Sequence, residues 1–508
     1  MALKGGGGRL AVRQPGHDRL PAPTGRRIDR GHLAVGVLVL LVLAALGQLA
    51  SMGALLALVG LLGLGVANLL VLRRSLVVRR SHGPRAEGPV GGPLGACWLL
   101  VTVLPLHSFV IRPTTVAVTE LGIEPMLELA YFCAVGGYAV LLIARHERTL
   151  QASRPPLLLL ALPVWTMATG AWGPYSPYAV ARGLQMLLLA VLAWATLAVG
   201  RARPDQLHEA VATYCRWLVR LAVALVGVGL LLGPIFVPAG GANLERFTWM
   251  GAHPNAAGLV LASAGVVAIT APTSVLRLRP AVRAGAVVVV VAALYANHSR
   301  MSWLELAAGA LLAFGLAGRL RPVLRWAGTP IVAMAAVSAW VFWGDRIGAY
   351  LAREGNSSSL TGGNGRLELW GMGLDSLRTA FDWAFGHGYG VTRTMFLDLG
   401  PWARNAHGSA LAWLVSGGIV ALALFLAIVG TTVAGLARAR ILRHPAGLSV
   451  VGFLTVLAIN GVASDAMAEP TMGLGGLFLV AAVARALGER SRPPAPAEAT
   501  LQPVAPSP

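Results

Sequence analysis

The sequence predicts an all-α protein: a polytopic helical membrane protein of about 14 transmembrane helices (12–14), with one long external loop carrying an amphipathic helix. Three observations predict it. Only 12% of the 508 residues are charged, about half the share of a soluble globular chain. Apolar runs of about 20 residues recur from Leu33 to Leu487, each long enough to cross a hydrocarbon core of about 30 Å. The basic residues between those runs fall into alternate loops. Composition thus excludes an ordinary cytosolic enzyme, and the apolar content excludes a disordered chain.

The elements follow in order. Residues 1–32 are rich in Gly, Pro and Arg and read as a disordered basic cytoplasmic tail, too polar for a signal peptide. Apolar spans are expected at roughly 33–50, 53–72, 94–111, 125–144, 156–172, 180–200, 216–237, 255–272, 283–297, 302–318 and 328–344, so residues 33–344 carry helices 1–11. Residues 345–408 form a large extracytoplasmic loop. Three further spans, 409–430, 447–464 and 470–487, complete the membrane region within 409–487. Residues 488–508 read as a disordered, Pro- and Ala-rich cytoplasmic tail.

Orientation follows from the cations. With the N-terminus inside, the cytoplasmic segments hold 31 of the 41 Lys and Arg, and the outer side holds ten. Acidic residues divide the other way, eight to thirteen. The formal charge of +20 is therefore a signature of membrane topology and not a nucleic-acid footprint. Cys97, Cys133 and Cys215 lie in or beside apolar runs without metal-ligand spacing, which speaks against a disulfide framework.

The loop at 345–408 is the informative one, since long ordered loops are usually functional. Leu367, Trp370, Leu374, Leu377 and Phe381 recur at helical spacing, with Asn364 as a cap, Glu368 in the first turn and Gly386 as a stop. Residues 365–385 are expected to form one amphipathic helix at the outer membrane–water interface. Gly386 to Gly390 reads as a flexible turn close to the membrane.

Ten Arg lie on the outer side. Arg112, Arg346, Arg353 and Arg393 read as solvated surface charges. Arg300 sits in a very short turn, Asn297 to Arg300, where a charge must pair, face a polar cavity or snorkel to headgroups. Arg182 opens the sixth span. Glu128 and Glu305 are the main mid-span charges. No His-Glu-x-x-His pattern marks a metal site among His107, His253, His298, His387 and His407. Polar clusters at 251–255, 297–300, 364–370 and 405–409 all fall on the outer face. Transporters place such groups in broken helices at mid-membrane, so the pattern points to chemistry at the outer surface on a substrate delivered through the bilayer.

Taken in order, these segments resemble the O-antigen ligase and polymerase family. The matching motifs are Gly251 to Asn255 with His253-Pro254-Asn255, Ser299-Arg300, Gly365-Arg366 leading to Trp370, Gly386 to Gly390, and His407 before the Gly-rich span from Leu411 to Ile419. The family usually has Asn directly after the His; here Gly408 stands there, and Asn405 precedes it. The resemblance implies a GT-C-like glycosyltransferase on the outer face of the bacterial cytoplasmic membrane, with both termini cytoplasmic. The donor would be a polyprenyl-diphosphate-linked glycan and the acceptor a glycan or glycolipid. No cofactor, metal or nucleotide sugar is implied, and no nucleic acid.

It also implies the site. Arg forks can neutralise a departing diphosphate through paired hydrogen bonds, and charge preorganised at a leaving group is a large catalytic term. Arg300 and Arg366 take that role, with Arg182 as a third candidate. A histidine suits a general base near neutral pH, and His407 takes that role, giving transfer with inversion. His253, Asn255, His298, Ser299, Trp370 and Asn405 are candidates to hold sugars or orient the base. Two alternatives remain at this point. One is a transporter or lipid-linked-glycan flippase. The other is a peptidoglycan polymerase of the shape, elongation and division class, which would use an external carboxylate such as Asp375, Asp382 or Asp398 as base.

Overall fold

The computed structural model of the chain describes residues 90–103, 123–145, 156–231, 235–239, 242–248, 254–318, 366–396 and 406–490. The expected spans 33–50, 53–72 and 328–344, the N-terminal tail and residues 491–508 lie outside the described residues, and the last helix runs to Arg490, three residues into the expected C-terminal tail.

Helices dominate. They run α1 Gly91–Val103, α2 Ile123–Arg145, α3 Leu157–Ala168, α4 Ser176–Ala202 and α5 Pro204–Leu231. A two-stranded hairpin follows, β1 Ile235–Ala239 and β2 Ala242–Thr248. Then come α6 Pro254–Thr270, α7 Thr273–Leu276, α8 Pro280–Asn297, α9 Arg300–Leu316, α10 Arg366–Asp375 and α11 Ala380–Phe385. The last three are α12 Ser409–Arg438, α13 Gly447–Ala463 and α14 Met472–Arg490. Among the described residues five helices, α4, α5, α8, α12 and α14, are long and apolar enough to cross a membrane. The protein is a helical membrane protein.

Local chemistry sets the boundaries. Pro177 lies in the first turn of α4, and Pro280 opens α8, both where a missing N–H costs nothing. Arg203 is extended and is the whole connection between α4 and α5, so those helices form a tight antiparallel pair. The helices α4 and α14 are the most enclosed, whereas α8 and α12 lie at the perimeter and expose Val282, Val288, Ile419, Leu426 and Val433. Lipid tails accept such faces. With no apolar driving force between helices in lipid, close packing and hydrogen bonds must hold them together. Accordingly a Cβ on Gly309 of α9 would come within 3.0 Å of the Gly452 carbonyl of α13, and Trp98 Nε1 of α1 donates to Thr196 Oγ1 of α4 at 2.8 Å.

The connections sort to two ends of the bundle. At one end Arg201 pairs with Glu489, Arg277 with Glu209 at 3.2 Å, and His208 meets His444 at 3.1 Å. The other end gathers the α8–α9 turn, the hairpin, α10, α11 and the start of α12.

Two expectations need correction here. The all-α class stands, but the expected span 216–237 stops at Leu231 and its last residues enter a β-hairpin, antiparallel from Ile235↔Thr248 to Ala239↔Ala242. The run Ile235-Phe236-Val237 looks like the end of a span in sequence, because a short apolar run fits strand or helix equally. Second, the loop helix expected at 365–385 is two helices, α10 and α11, broken at 376–379. Thr379 caps α11, accepting from Asp382 N, while Asp382 Oδ2 accepts from Thr379 N. That reciprocal cap starts a new helix where one continuous stripe was expected. The stripe is split: Leu367, Leu374 and Phe381 are exposed, Leu377 is buried, Trp370 packs against the core, and Leu369, from outside the stripe, is fully buried.

Candidate active site

Three helix starts converge at one end of the bundle. The chain turns from α8 to α9 in two residues. His298 closes α8 in the left-handed region, at φ 51°, and Ser299 caps α9, its Oγ accepting from Ser302 N and Ser302 Oγ. Arg300 is therefore the first residue of α9, and Arg366 the first of α10. Burial, and then the nearby Arg300 guanidinium, lower the pKa of Arg366. Two like charges thus share one partly dry region, each at the positive end of a helix. An anion would relieve both repulsions.

One turn beyond Arg366, on the same face of α10, the Trp370 indole donates to the Ala406 carbonyl at 3.1 Å. The next residue is His407, held at φ 48°. Among the described residues only four non-glycine residues have positive φ, and two of them are His298 and His407. Held strain of this kind clusters at functional sites. Trp370 thus joins the arginine-bearing helix to the histidine that precedes α12.

The segment between α13 and α14 supplies the acids. Ser409 Oγ donates to the Ser464 carbonyl at 2.8 Å and accepts from Met467 N at 3.2 Å, which fastens this segment beneath His407. Burial, and then Glu469, raise the pKa of Asp465, against Arg393 and His407, which lower it. Asp465 therefore lies within electrostatic reach of the imidazole. Arg393 Nη2 bonds Glu469 Oε1 at 2.8 Å. Arg393 is not the solvated charge expected from sequence: it is largely buried, and although desolvation works to lower its pKa, the charge and hydrogen bond of Glu469 together with Tyr178 hold it above the ordinary value. The sequence reading missed Asp465 and Glu469. Their signal was present as two acids four residues apart in a short turn between very apolar helices.

The turn at Gly386 to Gly390 is ordered and not flexible. Helix α12 breaks at Gly418, with φ 69° and ψ −169°. Its freed carbonyls are taken up: Val415 O by His387 N at 2.8 Å, Ser416 O by Gly388 N at 2.9 Å and Gly417 O by Trp165 Nε1 at 2.9 Å. Non-helical backbone at such depth survives only when protein satisfies it. Tyr389 then anchors the turn, its N–H on Thr169 Oγ1 and its hydroxyl on the Ala468 carbonyl at 2.7 Å.

The other candidates sit apart from this centre or support it. Arg182 is buried in α4, bonded at 2.8 Å both to Glu128 and to Gln185. That pairing places it in the bundle interior behind Tyr178, its guanidinium 5.3 Å from that ring. Asn255 accepts from Arg246 Nη2 at 3.1 Å, and Arg246 Nε donates to the Asn297 carbonyl, so the hairpin is tied to the α8–α9 turn. His298 faces Tyr295, and Ser299 is buried as the cap of α9. Glu305 is buried and accepts from Asn460 Nδ2 at 2.8 Å. Of the carboxylates considered as alternative bases, Asp382 is engaged in the α11 cap and Asp375 is exposed. His253, Asn405 and Asp398 lie outside the described residues. No group of three metal-ligating side chains occurs among the described residues.

Comparison with known proteins was made on sequence. No curated protein matches the chain. Residues 285–426 match the family model described as O-antigen ligase. The matched stretch runs from α8 into α12 and contains Arg300, Arg366, Trp370 and His407. The part of the chain that carries the candidate site is O-antigen ligase-like.

Proposed function

We propose that this protein is a glycosyltransferase that moves a glycan from a polyprenyl-diphosphate donor to a glycan or glycolipid acceptor. The site lies on the outer face of the bacterial cytoplasmic membrane, with the arginine-rich end of the bundle and both termini in the cytoplasm. The observation that carries this reading is the meeting of Arg300 and Arg366 at two helix N-termini, with Trp370 linking them to His407. Arg300 and Arg366 bind the diphosphate. The acceptor hydroxyl attacks the anomeric carbon and passes its proton to His407. The bond from that carbon to the diphosphate oxygen breaks, and its electron pair stays on the diphosphate. Attack opposite the leaving group inverts the anomeric centre. Asp465 orients the imidazole and stabilises it once protonated, the usual part of a carboxylate behind a base. Trp370, Asn255 and His298, with His253 and Asn405, supply the sugar-binding rim. Permanent guanidinium charge does the work of a divalent ion, so no metal is needed.

A flippase would use the break in α12 as a polar path. The freed carbonyls are instead bonded to the glycine-rich turn and to Trp165, which favours the enzyme. The test is reconstitution of purified protein with a polyprenyl-diphosphate oligosaccharide and an acceptor, with and without chelator. We expect a new glycosidic product in both conditions, lost in His407→Ala at normal membrane levels. Translocation of the lipid without bond formation, or full transfer by His407→Ala, would overturn the reading.

A further inference from the structure

We propose that the buried Arg393–Glu469 ion pair is a positioning device that fixes the segment carrying Asp465 beside the approach to α12 and sets the charge that surrounds Asp465. The inference rests on the proposed role of His407 as base and extends it to residues that touch no substrate.

The geometry comes first. Asp465 and Glu469 lie four residues apart in one short segment, linked by the 3-10 turn Ala466–Ala468. That segment is pinned from both sides. Ser409 holds Ser464 and Met467, and the Tyr389 hydroxyl holds the Ala468 carbonyl at 2.7 Å. Glu469 is then fixed by two bonds from Arg393, Nη2 at 2.8 Å and Nε at 3.2 Å, both to Oε1. Its other oxygen, Oε2, is buried and makes no hydrogen bond among the described residues. Arg393 is in turn set by the Tyr178 ring, 5.4 Å from its guanidinium, and Tyr178 stacks on Tyr389. The turn after α11, the segment after α13 and the start of α12 are thereby locked around one carboxylate.

The charges follow. The charged and titratable groups acting on Asp465 are Glu469 from its own segment, Arg393 from the 3-10 turn Val391–Arg393, and His407 from the approach to α12. Counted over these four groups alone, a neutral His407 leaves two carboxylates facing one guanidinium. With His407 protonated the set is balanced. The arrangement therefore favours the state that proton transfer from an acceptor would create. Arg393 has a second duty, since without it both acids would be buried side by side and one would hold a proton. A protonated Asp465 could not stabilise an imidazolium.

The test reads Asp465 directly. Infrared difference titration of the purified full-length protein, with Asp465→Asn as the subtraction control, reports the carboxyl band of that residue. Glu469→Gln is expected to move its midpoint to lower pH by about one pH unit, and Arg393→Gln to higher pH by a similar amount. The charge-keeping variants Glu469→Asp and Arg393→Lys should stay near the wild-type midpoint. The acid limb of the transfer rate should move in the same two directions. Unmoved midpoints, or movement of both in one direction, would overturn the proposal. Glu469→Gln is nearly isosteric, and its midpoint alone decides if Arg393→Gln is not recovered folded. Midpoints that move as expected in a protein whose transfer ignores His407→Ala would sink the base assignment and leave the ion pair's role standing.

Discussion

A guanidinium on the first residue of a helix sits where the backbone dipole already presents positive charge, so the placement is unfavourable by some tenths of a kcal/mol. Arg300 and Arg366 both accept that position, and burial and mutual repulsion add to it. A bound diphosphate reverses each of these terms. Arg366→Ala and Arg300→Ala should therefore lower transfer by about 10²-fold or more, the scale seen when one preorganised charge-stabilising donor is lost. Lysine at either position should restore activity only in part, because an ammonium lacks the planar fork; steady-state rates on the lipid donor check both. Removing His407 should cost about 10²–10⁴-fold, the range for a general base. Arg182 is predicted to behave differently. Its partners are Glu128 and Gln185, and Arg182→Ala leaves a buried carboxylate, at a cost of about 3–5 kcal/mol. Thermal unfolding in detergent should reveal a stability defect there, partly recovered by adding Glu128→Gln.

At the scale of elements, the break in α12 and the glycine-rich turn form one unit. The reason is close approach. A Cβ on Gly418 would come within 2.1 Å of the Ala384 carbonyl, and one on Gly388 within 2.3 Å of Gly173 Cα, and both glycines have positive φ. Gly418→Ala should separate the turn from α12 and Gly388→Ala should push it off Gly173, each lowering the melting temperature and abolishing transfer, because Arg393 and Tyr389 are carried by that turn. Gly371 is the control. It lies inside α10 with nothing within 4 Å of a Cβ, so Gly371→Ala should be neutral or stabilising by up to about 1 kcal/mol. The α10–α11 break has a similar local cause. Hydrogen bonds from Thr379 hold the Asp382 carboxyl below the usual carboxylate range. The sign follows: the cap is at full strength above the ordinary aspartate pKa and weakens only as pH falls through the lowered value. Asp382→Asn should remove that acid dependence, read from the helical signal on acidification.

At the scale of the molecule, charge sorting makes a prediction about sidedness. Arg201 and Arg485 pair with Glu489, and Arg277 with Glu209, at one end of the bundle, while the candidate site, with Arg300, Arg366 and Arg393, occupies the other. An Arg378→Cys substitution, at an exposed position beside the site, should react with a membrane-impermeant thiol reagent added outside intact cells. An Arg440→Cys substitution in the α12–α13 connection should not. A cysteine-free background gives the cleanest reading, although Cys215 is buried. The reverse labelling pattern would invert the topology.

The sequence by itself determined the class of the protein and the positions of most of the described helices, and it offered the candidate arginines and histidine. Apolar run length and cation placement are local or additive properties, readable without knowing which helices touch. The ordered motifs pointed to the family that the match at 285–426 supports. Tertiary structure decided the rest. Arg393 looked like a surface charge because its partner, Glu469, lies 76 residues away, and no local pattern announces such a pair. Asp465 escaped notice for the same reason: its value lies in being folded beneath His407 by Ser409. The hairpin, and the break in α12 matched to a distant turn, likewise depend on what fills the space beside them. Sequence sets which groups can carry charge or cross lipid; only packing sets which of them meet, because the cost of a buried polar group depends on the partner brought to it from elsewhere in the chain.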